Sequence, residues 1–415
     1  MSQDFGTSTP PAEVSPTQSD GAPLRQDSPR SISALGTGLG KRVVESGLSF
    51  VAFILLFAGF GIWLRGNFLN IDARLLDIHQ NVPILLMSLA ALTTLIAGAF
   101  DLSIAGVADL SCYLAVGLVV KQHFPFALIV VICIAVGLVI GFINGVLVER
   151  LHMNPFIATL AMGTLCEGVA AVYSGGVLIN PSGGTAQLPK WFLDLGSYQH
   201  KAPEWLIAIS LPVAAIAIFF ALDHVHPQGW SQKRWIGAKL LLLGVLALLL
   251  VFVFRLSRWL SGTSWLILVL LIAALLLWLL FEYTTFGRQV RAIGSNREAA
   301  TLVGLPVRRQ VVKTFMLGGA LAALAGIAFA ATQGSASPGV ADTALLPAFA
   351  GAFLSTVILS RGRFTVPGTI IGGIFVVWIG TALIIGGVSS NWTDVVNGVI
   401  LIMAVGFATV MRRKA

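Results

Sequence analysis

Residues 126–148 read FALIVVICIAVGLVIGFINGVLV, a run without one charged side chain. A helix of about twenty apolar residues crosses the hydrocarbon layer of a bilayer, since each residue rises ~1.5 Å and the layer is ~30 Å thick. Stretches of this kind recur near 47–64, 78–99, 102–120, 125–148, 155–174, 203–222, 236–254, 264–282, 312–333, 346–359, 367–386 and 393–410. The expectation is an all-α fold, a polytopic membrane helical bundle of roughly 10–12 transmembrane helices. Composition agrees: 56% of the residues are apolar and only 11% charged, less than half the charged share of a soluble domain.

The net charge is +8. In a soluble chain that excess would point to nucleic acid; here its placement matters more, and no nucleic-acid partner is expected. If an even number of spans alternates sides, the side holding both termini receives about 19 of the 26 Lys and Arg, which makes that side cytoplasmic. Arg288, Arg291, Arg297, Arg308, Arg309 and Lys313 form the densest group, so the loop 283–312 belongs to the cytoplasm. Arg255 and Arg258 fall on the other side and oppose this assignment locally.

Residues 1–40 are rich in Ser, Pro, Gly and Gln and hold too few bulky apolar groups to offset the entropy of ordering. They are expected to be a disordered cytoplasmic tail, with 41–415 as the membrane domain. No cleaved leader is expected, so the first span near Leu48 stays as an anchor. Cys112, Cys133 and Cys166 lie far apart in spans and read as buried thiols rather than a metal or redox set.

No catalytic constellation is found. GTGLGK at 36–41 lacks the spacing of a phosphate loop and the hydroxyl residue after its lysine. His224 and His226 flank Val225 without a third ligand nearby and read as a solvated turn rather than a metal site. The chain is therefore expected not to be an enzyme, to hold no metal, and to need no cofactor of its own.

The loop 283–312 contains GSNREAATLVGLP, Gly294 to Pro306, a polar island between apolar runs. Ser295 is placed to cap a helix whose Glu298 returns a hydrogen bond, the capping-box arrangement. Gly304 suits a left-handed exit and Pro306 stops continuation. The resulting helix, 296–303, is shorter than the ~12 residues an isolated helix needs in water, so it must lean on something. Ala299, Ala300 and Val303 share a face by their spacing of three and four. That face suits either insertion into a partner's cleft or rest against the chain's own bundle.

At this point the residues resemble a family. EAATLVG, Glu298 to Gly304, is similar to the loop motif of ABC importer permeases. Thr284 to Ala330 resembles the ribose and xylose branch of sugar permeases, within the branched-chain amino acid/ribose permease superfamily. AGAFDLSIAG, Ala97 to Gly106, and GFINGVLVERLHMNPFIATLAMGTL, Gly141 to Leu165, are similar to two further segments of that branch, in the same order. With tail and central insertion excluded, the resemblance covers about two thirds of the chain. LSTVILSRGRFTVPGT, Leu354 to Thr369, departs from the usual Gly-Gly-Thr-Ser-Leu type run; 195–275 adds apolar segments as in longer xylose-type chains; Glu167 stands where a basic residue is common.

The resemblance implies a bacterial inner-membrane permease subunit of an importer for a ribose- or xylose-like monosaccharide. Its implied partners are an ABC ATPase subunit that consumes the ATP, a solute-binding protein outside, a second permease copy, and the lipid bilayer. It implies an ATPase-coupling set: Glu298 fixes the helix start, Ala299 and Ala300 make the contact, Gly304 gives the exit, and Arg288 and Arg291 flank the surface. For the substrate pathway, acids in spans are costly unless they face a cavity or partner, which marks Asp101, Asp109 and Glu167. Asp101 either caps the helix after it or lines a gate. Ser103, Asn144, Thr159, Thr164 and Asn180 offer groups a sugar hydroxyl needs, although Ser and Thr in spans also bond their own backbone. Glycines at 137, 141 and 145, and at 368 and 372, read as helix-packing sites. Two rivals remain: the same architecture carrying branched-chain amino acids or an autoinducer-like sugar, and an ion-coupled secondary transporter, which needs acids in broken helices at midplane.

Overall fold

The computed structural model describes residues 58–64, 68–181, 187–203, 256–358, 362–389 and 391–414, with isolated positions between 205 and 244. The expected tail at 1–40, nearly all of the spans at 203–222 and 236–254, most of the span at 47–64, and His224 and His226 lie outside the described residues. The described elements are helices: α1 (Ile71–Gln80), α2 (Val82–Ile96), α3 (Ile104–Val120), α4 (Phe126–Glu149), α5 (Pro155–Ser174), α6 (Lys190–Gly196), α7 (Leu256–Gly262), α8 (Trp265–Tyr283), α9 (Thr285–Ser295), α10 (Arg297–Leu302), α11 (Val307–Gln333), α12 (Asp342–Ile358), α13 (Val366–Ile385) and α14 (Asn391–Lys414). Among the described residues, extended pairing is limited to two isolated antiparallel bridges, Ile179 with Ala336 and Lys201 with Ser264.

Among the described residues, α4, α5, α8, α11 and α13 are long and apolar enough to cross a membrane. The pair α1–α2, bent by 58° at Asn81, makes a sixth if counted as one broken span. Helices α3, α12 and the first part of α14 are apolar but shorter. The run expected at 78–99 is thus divided: Asn81 turns its side-chain amide back to the Asp77 carbonyl at 2.8 Å, and Pro83, which has no N–H to donate, sits in the first turn of α2.

Helix α11 is central. In its most apolar window 78% of residues are buried, against 33% for α4 and 28% for α5, so α4 and α5 present much of their surface outward. In a bilayer no hydrophobic force draws helices together, and close backbone approach takes its place. Accordingly the α4 glycines meet α11 backbone: a Cβ at Gly137 would collide with the Gly319 carbonyl, one at Gly141 with the Phe315 carbonyl, and one at Gly145 would lie 2.8 Å from Val312 Cα. A second seam joins α12 and α13, where a Cβ at Gly372 would stand 2.5 Å from the Gly351 carbonyl oxygen. Both glycine sets thus serve packing, as their spacing indicated. Cys112, Cys133 and Cys166 are free and buried.

At the end of the bundle away from α10, His79 of α1 ties three segments together, with Nδ1 2.7 Å from Ser264 Oγ and Nε2 2.8 Å from the Gly196 carbonyl oxygen. Phe126 packs on Phe192 of α6, ring centroids 4.2 Å apart, which lays α6 across the start of α4.

Candidate functional site

The polar island folds as two consecutive helices. The Thr284 hydroxyl accepts from Gly287 N and starts α9, whose Val290 and Ile293 are buried. Gly294 lies against the carbonyl of Ile96 with no room for a Cβ, so α9 touches the end of α2 directly. Arg291 binds Glu282 with both terminal nitrogens, one of them at 2.7 Å, and fixes α9 to the end of α8. Arg288 is exposed.

The expected cap is one residue off. Ser295 is the last residue of α9, and its hydroxyl donates to the Arg291 carbonyl at 2.9 Å; the cap of α10 is Asn296, extended at φ −155°, whose Oδ1 accepts from Ala299 N at 2.9 Å. Glu298 sits exposed in the first turn, where the positive end of the helix favours a carboxylate. Gly304, at φ +79°, makes the left-handed exit, and Leu305 N donates to the Ala300 carbonyl at 3.0 Å.

The contact face is also redrawn. Ala300 is only 4% exposed and rests on the chain's own bundle, because the short helix needs that support; it is not available to a partner. Ala299 is exposed. The residues that stand out are Leu302 and Val303, 88% and 75% exposed, with Arg308 and Arg309 exposed just beyond. Beneath them Arg297 reaches inward, its Nη2 2.5 Å from Oε2 of Glu149, the last residue of α4. The Glu149 side chain is 1% exposed, and sequence reading missed it as one more charged residue at a span end.

Deeper in the bundle, four residues expected along the substrate pathway come together at the break between α2 and α3. Gly98, at φ +80°, turns the chain out of α2, and Asp101 then braces the turn before α3 without capping the helix itself: its Oδ1 accepts from Ser103 N at 3.0 Å and from Ser103 Oγ at 2.6 Å. Asn144 Nδ2 of α4 donates to Ser103 Oγ at 2.8 Å, and Leu102 N donates to Thr159 Oγ1 of α5 at 3.0 Å. Asp101, Ser103, Asn144 and Thr159 are each 2% exposed or less. They form an inter-helix joint closed to solvent. Asp101 Oδ2 and Asn144 Oδ1 have no hydrogen-bond partner among the described residues.

The other candidates lie elsewhere. Thr164 is on the exposed side of α5 and donates to its own Leu160 carbonyl at 3.2 Å. Glu167 lies beside Asp342 at the start of α12, and Asp109 Oδ1 accepts from Ala341 N at 2.9 Å, which holds the loop before α12 onto α3. Asn180 is in the loop after α5. No group of three or more His, Cys, Asp or Glu able to hold a metal occurs among the described residues.

Comparison with known proteins places this architecture. No solved structure matches the chain. It is 26% identical over 366 residues to a fructose import permease of Rhizobium meliloti, covering 88% of this chain and 85% of the relative. A xylose transport system permease of Haemophilus influenzae is 26% identical over 385 residues, 88% of this chain and 96% of the relative. A ribose import permease of Bacillus subtilis is 28% identical over 314 residues, 75% and 76% of the two chains. Residues 78–405 match the family described as the permease component of the branched-chain amino acid transport system, a span that holds both the α9–α10 segment and the joint at Asp101; the chain is a multi-pass membrane protein and belongs to that permease family.

Proposed function

We propose that the chain is the membrane-spanning permease subunit of an ATP-driven importer for a monosaccharide, itself without catalytic activity. The observation that carries this reading is Leu302 and Val303 exposed on a short helix that is fastened to the core through Arg297 and Glu149. A large apolar side chain held out from a polar loop on a rigid base fits a partner's cleft, and the chain's family membership supports an ATPase subunit as that partner. The α9–α10 end then faces the cytoplasm of a bacterial inner membrane, as the positive charge around it favours. A solute-binding protein delivers cargo at the opposite end, and a second permease copy completes the pathway, with α4 and α5 offering outward apolar surface.

A monosaccharide is favoured over an amino acid because relatives of this chain are named for import of fructose, xylose and ribose, and others for autoinducer 2. ATP acts in the partner, and Ala299, Glu298, Gly304 and Arg288 shape the docking surface beside Leu302. The joint at Asp101, Ser103, Asn144 and Thr159 must open or shift if these groups are to meet substrate, whereas Thr164 and Glu167 are reached without such a change.

Two measurements test the reading. Leu302→Asp should reduce co-purification of the ATPase subunit by about tenfold or more, as loss of an interface anchor does, while the chain still inserts; full retention would remove α10 from the docking role. Titration of the co-purifying solute-binding protein with pentoses, ketohexoses and branched-chain amino acids should give saturable binding of a sugar, and binding of leucine alone would overturn the cargo.

A further inference from the structure

The two structures described above, the docking segment and the buried joint, are connected by one helix. Glu149 ends α4 at the docking segment, and Asn144 lies five residues earlier on the same helix, about 7.5 Å along its axis at the usual rise. From the surface inward, the contacts run Arg297 to Glu149 at 2.5 Å, along α4 to Asn144, from Asn144 to Ser103 at 2.8 Å, and from Ser103 to Asp101 at 2.6 Å. Helix α10 leads directly into α11, and α11 is sealed to α4 by the glycine seam at 137, 141 and 145. Helices α10, α11 and α4 are thus held together at both their loop and their faces. The break at 97–103 meets this unit through a polar contact, the Asn144–Ser103 hydrogen bond, and meets α9 through the close approach of Gly294 to Ile96.

We propose that Glu149 and Arg297 are positioning residues for transport: their ion pair makes α4 follow α10, so that displacement of the docking helix is delivered to the break between α2 and α3. This rests on the docking reading and adds to it the route that the displacement takes. The physical reason is the burial of Glu149. A carboxylate 1% exposed with its Oε1 unpartnered among the described residues has Arg297 as its ionic partner, and separating a buried charge from its partner is strongly opposed. Helix α10 therefore cannot move away from the end of α4 without exposing that charge or leaving it uncompensated. Arg297 itself is 54% exposed at its side chain, so the pair sits where the partner's load enters the bundle. Asn144 stands near the same end of α4 as Glu149, so its hydrogen bond to Ser103 passes a displacement of that end to the entry of α3.

The test uses the chain assembled with its ATPase and binding protein in proteoliposomes and reads solute moved per ATP hydrolysed. Arg297→Glu, which sets two carboxylates against each other, should lower that ratio about tenfold, within the range ordinary for energetic coupling between sites, while the ATPase stays bound through Leu302 and Val303. Adding Glu149→Arg to Arg297→Glu should restore the ratio to within about threefold of the unaltered chain. Glu149→Gln, which keeps size and removes charge, gives the same direction of change should the reversed pair fail to assemble. An unchanged ratio in Arg297→Glu and Glu149→Gln, or a double variant no better than Arg297→Glu alone, overturns the joint. Loss of ATPase binding in Leu302→Asp together with an unchanged ratio in Arg297→Glu would leave the docking reading standing and this route refuted; a bound ATPase in Leu302→Asp would refute the docking reading and the route with it.

Discussion

Ser103 makes three contacts at once: its N–H and its hydroxyl both donate to Asp101, and its oxygen accepts from Asn144. Removing the hydroxyl strands the Asn144 amide in a site that is 0% exposed, and an unsatisfied buried donor costs more than the bond it lost. Ser103→Ala is therefore expected to destabilise the chain by about 1–3 kcal/mol. Thr164→Val, on the exposed side of α5 with only a bond to its own helix, should change stability by no more than about 0.5 kcal/mol. Thermal unfolding in detergent compares the two; equal losses would contradict the joint's closed character. Both residues entered as pathway candidates by residue type. Type shows that a hydroxyl is present, whereas its worth depends on what faces it, for Ser103 from a helix 41 positions away, and local sequence does not carry that.

Among elements, the glycine seams were legible and the cap of α10 was not, for a physical reason. A glycine every fourth residue marks one helix face whatever the partner, and the partner surfaces proved to be α11 and α12. Capping depends on where the preceding element ends. The reading treated α10 as isolated, but α9 runs into it and absorbs Ser295, so the cap passes to Asn296; the same support from below turns Ala300 inward and leaves Leu302 outward. The seam carries its own prediction. Gly141→Ala forces a Cβ into the Phe315 carbonyl and should cost about 1–3 kcal/mol, as overpacking does. Gly168→Ala in α5, where nothing lies within 4 Å of the added atom, should stabilise by up to about 1 kcal/mol through helix propensity. Opposite signs in the unfolding midpoint are expected, and a neutral Gly141→Ala would refute close backbone contact between α4 and α11.

For the whole molecule, hydropathy identified a helical membrane bundle but not how each run is divided. The 17-residue α3, about 25 Å long at the usual rise, is short for a full crossing because the chain spends residues 97–103 on a turn lined by polar groups, and such broken backbone in a bundle is tolerated only where protein or a cavity satisfies it. The link from Arg297 to Glu149 spans 148 positions, beyond the reach of any local pattern. These features support one account, in which an external motor acts on α10 and the bundle converts that displacement into passage of solute. The most direct test is uptake into vesicles holding this chain, with and without its ATPase subunit, with the binding protein and solute supplied on the receiving face. The account predicts uptake only when ATPase and ATP are both present; accumulation of solute by the chain alone, driven by an ion gradient, would contradict it.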